Sequence, residues 1–211
     1  MAKQVRYSAE PFVPKTHSLR VLRAAAKGCE GCPLFASATQ TVFGEGKAHA
    51  PLMLIGEQPG DAEDLSGHPF VGPAGKLLDR ALADAGIPRE RVFVTNAVKH
   101  FKFEERGKRR IHKRPRTSEI NACHPWLRAE LEAVKPRVVV CMGAIAAQAL
   151  FGPEFQLTKH LGVPVPTPHA EFALATLHPA ALLRMTDAID RRAAFTALVK
   201  QLKLGYQKSQ R

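Results

Sequence analysis

Four short apolar runs limit what this chain can fold into more than any other feature: Pro51–Ile55, Arg91–Thr95, Val138–Cys141 and Phe172–Thr176. Runs of that length with little polar alternation belong to strands buried on both faces. Segments with helical spacing lie around and between them. Ser18–Lys27 carries Leu19, Leu22 and Ala25/Ala26, with Ser18 at the N-cap position and Gly28 as the stop. After Gly72-Pro73-Ala74-Gly75, the residues Leu77, Leu78, Ala81, Leu82 and Ala85 share one face until Gly86 and Pro88 end the helix. Thr117–Val134 is helical by Ile120, Leu127, Leu131 and Val134, with Pro125 expected to break or kink it. Ala144–Phe151 and Ala188–Leu204 are the last two helices; the second turns Ile189, Phe195, Leu198, Val199 and Leu202 inward. This alternation predicts an α/β fold: a three-layer α/β/α sandwich around a central four-stranded parallel sheet. Residues 18–204 form that domain. Residues 1–17, with Pro11 and Pro14 and no periodicity, read as an extended arm, and 205–211 read as a tail.

Charge narrows the choice of partner. The chain has 31 Lys/Arg against 19 Asp/Glu, a net charge of +12. Such an excess favours a polyanion, nucleic acid first and an anionic membrane second, because neutralising phosphates releases counterions. Half of the net charge lies in Lys102–Arg116, which holds eight Lys/Arg and two Glu. That stretch is too polar for a core, so residues 100–116 read as a long basic loop leaving the second strand. His100 and His112 bracket its most basic part. Residues 1–17 hold no apolar leader and no long apolar span occurs, so a cytoplasmic, reducing setting without a membrane is expected. A monomer is expected too.

In a reducing setting Cys29-x-x-Cys32 is a metal half-site, a redox pair or two incidental residues. Cys141, inside the valine-rich run, reads as a buried small hydrophobe. Cys29, Cys32 and Cys123 then stand one ligand short of four, and His100 is available to supply it. Zinc held by three cysteines and a histidine, or an iron–sulfur centre with one histidine, both suit these residue types. Composition does not separate them.

Ligands of parallel sheets bind beyond the carboxyl ends of the strands. Three segments fall there: Gly56-Glu57-Gln58-Pro59-Gly60, Asn96 with the basic loop, and His178-Pro179. Each alone is compatible with ordinary turn chemistry. Together and in this order they carry a resemblance. Ile55-Gly56-Glu57-Gln58-Pro59-Gly60-Asp61, Phe70-Val71-Gly72-Pro73-Ala74-Gly75, Val94-Thr95-Asn96 and His178-Pro179-x-x-Leu182-Leu183-Arg184 are similar to motifs of the uracil-DNA glycosylase superfamily, above all its iron–sulfur members. The inserted Lys108-Arg109-Arg110-Ile111-His112 resembles the loop of family X of these enzymes (UdgX), which becomes covalently attached to DNA at the uracil site.

The resemblance implies a structural [4Fe–4S] cluster on Cys29, Cys32, His100 and Cys123, and no nucleotide cofactor. It implies uracil-containing DNA as the partner, single strands preferred. Phe70 would stack on the flipped-out base. The Asn96 amide would donate to uracil O4 and accept from N3–H. His178 would bond O2, where negative charge grows as the glycosidic bond breaks. Gly56 and Gly60 would lie against the base, with Arg110 and Arg184 as loop anchor or phosphate contacts. Two departures matter. Gln58 stands where water-activating members have an aspartate, and an amide is no general base. Gly60 replaces a tyrosine that excludes the methyl group of thymine. A turnover enzyme would therefore need Asp61 or Glu57 to activate water. The other route has His112 attack C1′, with Glu57 orienting or deprotonating its ring. Ala180 and Ala181 also replace serines common in relatives. A non-catalytic iron–sulfur DNA-binding module is the remaining alternative, and it would leave Phe70, Asn96 and His178 unused.

Overall fold

A computed structural model describes residues 7–210. Residues 1–6 of the arm and Arg211 of the tail lie outside the described residues. From the N-terminal side, α1 (Leu19–Ala26) leads through the cysteine turn to β1 (Leu52–Gly56). Then come α2 (Asp61–Ser66), α3 (Pro73–Asp84) and β2 (Val92–Asn96). Next are β3 (Phe103–Arg106), β4 (Arg109–His112) and α4 (Thr117–Val134). The chain continues through β5 (Val138–Met142), α5 (Ala144–Phe151), β6 (Val165–Thr167) and β7 (Ala170–Thr176). It ends in α6 (Pro179–Leu183) and α7 (Ala188–Ser209).

The main sheet has the order β2-β1-β5-β7-β6. Its first four strands are parallel, and β6 pairs antiparallel with β7. The predicted parallel strands are therefore all present, and the expected four become five by an antiparallel edge. That edge strand is Val165-Pro166-Thr167, and a proline is tolerated there because an edge leaves one side of the ladder unpaired.

Period two sorts the strand side chains between the faces. Leu52, Leu54, Val92, Val94, Val138, Val140 and Leu174 pack with Leu78 and Leu82 of α3 and Leu198 and Leu202 of α7. Met53, Ile55, Phe93, Val139, Cys141, Ala173 and Ala175 pack with α4 and α5 on the other side. This is the predicted three-layer α/β/α arrangement. A third apolar group lies outside it, built from α1, the Cys29–Cys32 turn, Phe43 and the Cys123–Trp126 face of α4.

Several local expectations are corrected. The basic stretch is not an irregular loop: β3 and β4 form a hairpin, with Phe103 opposite His112 and Arg106 opposite Arg109. Pro125 does not break α4, which is continuous and buries Pro125, Trp126 and Leu127. Burial on both sides of the proline holds the helix where propensity alone would end it. Ser18 occupies the N-cap of α1 without a side-chain cap bond. The stretch read as a tail continues α7 to Ser209, because Gly205 lets the helix lie close to Val140 and Leu174 of the sheet. Within the arm, Ala9 is buried and its N–H donates to the Ala122 carbonyl of α4 at 2.8 Å, so that part docks on the domain. No helix among the described residues is long and apolar enough to cross a membrane.

Candidate functional site

The chain winds from β1 outward to β2, then reverses to β5 and β7. Crevices beyond the carboxyl ends of strands at such reversals are the usual ligand positions. Here the ends of β1 and β2 are adjacent, with Gly56 in register with Asn96. Beyond β7, the Gly143 N–H donates to the Thr176 carbonyl and brings His178 alongside. A Cβ placed on Gly56 would lie 2.4 Å from Asn96 Oδ1, 2.7 Å from Phe70 Cζ and 3.4 Å from His178 Nε2. The bare glycine is thus the floor on which three sequence-predicted residues meet. Above it opens a cavity of about 540 Å3 whose lining includes Glu57, Phe70, Asn96, His112, His178 and Arg184.

Local structure fixes each group. Phe70 has φ +59°, a left-handed conformation costing a non-glycine residue about 1–3 kcal/mol. Its ring lies 6.3 Å from that of His178, with the planes 27° apart. His178 caps α6: its Nδ1 accepts from the Ala180 N–H at 3.1 Å. Burial, with Arg184 and His112 adding, lowers its pKa to about 4, so the ring is neutral at pH 7. A neutral ring that accepts at Nδ1 carries its proton on Nε2, the atom that faces Gly56. Behind Asn96, the fully buried Lys99 donates through Nζ to the Asn96 carbonyl (2.6 Å), Thr95 Oγ1 (2.7 Å) and Glu130 Oε2 (2.7 Å). That ion pair lies entirely out of solvent and ties the end of β2 to α4.

The hairpin delivers His112 to the same cavity. His112 Nε2 stands 3.6 Å from Glu57 Oε1, with side chains 48% and 26% exposed, so the pair sits at the mouth and not the floor. Glu57 Oε1 is buried and has no hydrogen-bond partner among the described residues. Burial pushes the Glu57 carboxyl up, against the pull of Arg114 and Arg184. Burial also holds His112 below the ordinary 6.5, and Arg184 acts in the same direction.

Gln58 and Arg110 are at the hairpin and are engaged in holding it. The Gln58 amide donates to the carbonyls of Lys102 (3.2 Å) and Lys113 (3.0 Å) and accepts from the Lys102 N–H (3.2 Å). An aspartate at this position could make only the accepting bond. Arg110 donates to Asp61 Oδ1 and Asp64 Oδ2, each at 2.6 Å, and its guanidinium lies 5.0 Å from the Phe103 ring centroid. Arg110 thus ties β4 to α2, and Asp61 is held in its ion pair.

Glu63 was not singled out from the sequence. It lines the cavity, and its carboxylate accepts from the N–H groups of Gly60 (3.1 Å) and Gly72 (2.9 Å). Its Oε2 fills the space that a side chain on Gly60 would take, 2.6 Å from that Cβ position. The signal was available in a carboxylate three residues after a glycine N-cap, the spacing of a capping box.

The four candidate metal ligands come together on the outer side of α4. Cys29, Cys32, His100 and Cys123 are all buried. Cys32 Sγ is 3.8 Å from His100 Nδ1. The Trp126 indole N–H donates to Cys29 Sγ at 3.1 Å, and the Lys99 N–H to Cys123 Sγ at 3.3 Å. Burial raises Cys32 and pushes Cys123 up to about 12, and it lowers His100 to about 4. Thiols of that kind ionise only when a metal displaces the proton. Among the described residues no three His, Cys, Asp or Glu side chains converge on a single ion. Three thiols and an imidazole are donors that an iron–sulfur cluster or a zinc ion would accept. Cys141 lies elsewhere, among the apolar side chains on the α4/α5 face of the sheet.

Comparison with known proteins agrees with the motif order. Residues 43–203 match the Uracil DNA glycosylase superfamily. A type-4 uracil-DNA glycosylase of Thermotoga maritima is 35% identical over 167 residues, covering 79% of this chain and 83% of that protein. One from Archaeoglobus fulgidus is 42% identical over 123 residues, 58% of each chain. One from Sulfurisphaera tokodaii is 34% identical over 174 residues, covering 79% of this chain and 76% of that protein.

Proposed function

The chain belongs to the uracil-DNA glycosylase superfamily, and from that premise we propose that it excises uracil from DNA and then captures the abasic site through His112, as family X does. The observation that carries this reading is the junction of two sites in one cavity: Asn96, Phe70 and His178 around Gly56, and the His112–Glu57 pair at the mouth.

The base must leave the stack to enter so enclosed a space. Phe70 offers its ring face to uracil. The Asn96 amide matches O4 and N3–H, a pattern that cytosine reverses. Glu63, filling the space beside Gly60, stands where bulk is needed against the thymine methyl group. As the C1′–N1 bond breaks, its electron pair goes to uracil, and the His178 Nε2–H meets the charge developing on O2. Fixed donors of this kind act most strongly in the transition state. A ring-nitrogen lone pair of neutral His112 then forms the bond to C1′. The proton the ring sheds goes to Glu57 or to solvent. Arg114 and Arg184, which form no ion pair among the described residues, suit the phosphates of the bound strand. Cys29, Cys32, His100 and Cys123 would hold a [4Fe–4S] cluster, which supplies a structural tie between the first cysteine turn, the hairpin root and α4.

The partnerless Glu57 Oε1 favours a second reading, in which Glu57 activates water and the enzyme turns over. Mass spectrometry after mixing the protein with uracil-containing single-stranded DNA separates the two. Capture yields a one-to-one adduct in the wild type and none in His112→Ala. Free abasic DNA formed in excess over enzyme by the wild type would overturn it.

A further inference from the structure

The hydroxyl of Thr41 lies between two groups that leave it a single arrangement. It is 2.7 Å from the Ala26 carbonyl at the end of α1, and 3.1 Å from Nε2 of His100. A carbonyl has no proton to give, so the hydroxyl proton points to Ala26. Toward His100 the same oxygen can then only accept. Nε2 must carry the ring proton, and a ring with one proton keeps its lone pair on Nδ1, the atom turned toward Cys32 Sγ at 3.8 Å. The backbone holds this relation, because the Val42 N–H donates to the Lys99 carbonyl at 2.8 Å and seats Thr41 beside His100. The Cys29 N–H also donates to the Ala26 carbonyl, at 3.1 Å, so the acceptor of the Thr41 hydroxyl holds the entry of the cysteine turn as well.

We propose that Thr41 is a positioning residue that fixes His100 as an Nδ1 ligand, so that the histidine corner of the cluster depends on a hydroxyl that touches no metal. The inference rests on the cluster assigned above. Outer hydrogen bonds of this type set the tautomer and orientation of metal-bound imidazoles, and their loss typically weakens metal binding by about 10–100-fold.

The test uses anaerobically purified full-length protein, with iron and acid-labile sulfide per chain and the rate of iron loss to a chelator as readouts. Thr41→Val keeps the shape and removes the acceptor; iron loss should be about 10–100-fold faster. Thr41→Ser restores the hydroxyl and should restore the wild-type rate. His100→Cys offers a thiolate, which needs no N–H acceptor, so adding Thr41→Val to it should change nothing. Unchanged iron retention in Thr41→Val overturns the proposal. So does an equal acceleration in the His100→Cys background, which would make Thr41 a general support of the turn. Wild-type protein free of iron and sulfide would instead remove the cluster itself, and this proposal with it.

Discussion

The strand-end pocket and the basic hairpin hold the two halves of the proposed chemistry on unequal supports. Asn96 and Gly56 end parallel strands whose faces are both covered by core, and His178 is locked as a helix cap. The hairpin has two four-residue strands that are mostly exposed and bring no core of their own. An isolated hairpin is marginal in water, so this one needs outside support. It receives that support from polar side chains: the Gln58 amide at its root, and Asp61 and Asp64 of α2, which hold Arg110 of β4. Recognition is therefore built into the sheet, while the attacking group depends on a few separable contacts.

Three changes probe that division. The largest effect is expected in the pocket. Asn96→Ala removes the amide proposed to read the base and should slow uracil release by about 10²–10³-fold, measured as free uracil in single-turnover assays. The hairpin should respond less and differently. Gln58→Ala removes three hydrogen bonds at its root, and misplacing His112 should lower the adduct-forming rate by about 10–100-fold. Uracil release should persist, with water taking over C1′, so free abasic product should rise as adduct falls. Equal loss of both products would mean that pocket and hairpin are one unit.

The third effect is on stability against pH. His178 has a pKa of about 4 in the folded chain against an ordinary 6.5. Below pH 6.5 the unfolded chain binds a proton that the folded chain does not. Stability is thus fully present above pH 6.5 and falls as the pH drops toward 4, by at most about 1.4 kcal/mol per pH unit from this residue. Urea titrations at pH 7 and 4.5 should show the fall, and His178→Asn should remove the part that His178 supplies, leaving the part from His100, which burial lowers in the same way.

The same contrast explains what could be read from the sequence. The four parallel strands were legible because burial on both faces leaves unbroken apolar runs, as in Val138-Val139-Val140. Gly56, Asn96 and His178 were legible because they end or closely follow such runs, and Phe70 only through its motif. The hairpin was hidden by its charge, since Glu104, Glu105, Arg109 and Arg110 give no alternation of apolar and polar. Its one cue was Gly107, at φ +60° in the two-residue turn. Edge strand β6 was hidden by Pro166 and by its three-residue length. The task of Gln58 depends on partners far along the chain, and motif position alone gave no view of them. For Gln58, the missing aspartate was apparent, whereas the carbonyls its amide would tie were not.

The two ends of the hairpin leave the body at a single point: the Lys113 N–H donates to the Lys102 carbonyl at 2.9 Å, and Gln58 spans both. In engineering terms, residues 103–112 are an exchangeable cassette on a fixed socket. A short turn can join Lys102 to Lys113 without moving a main-sheet strand, and a hairpin bearing another nucleophile, or none, can be seated on the same amide. The base-reading sheet would then become a general platform, with the fate of the sugar chosen by what is plugged in above it.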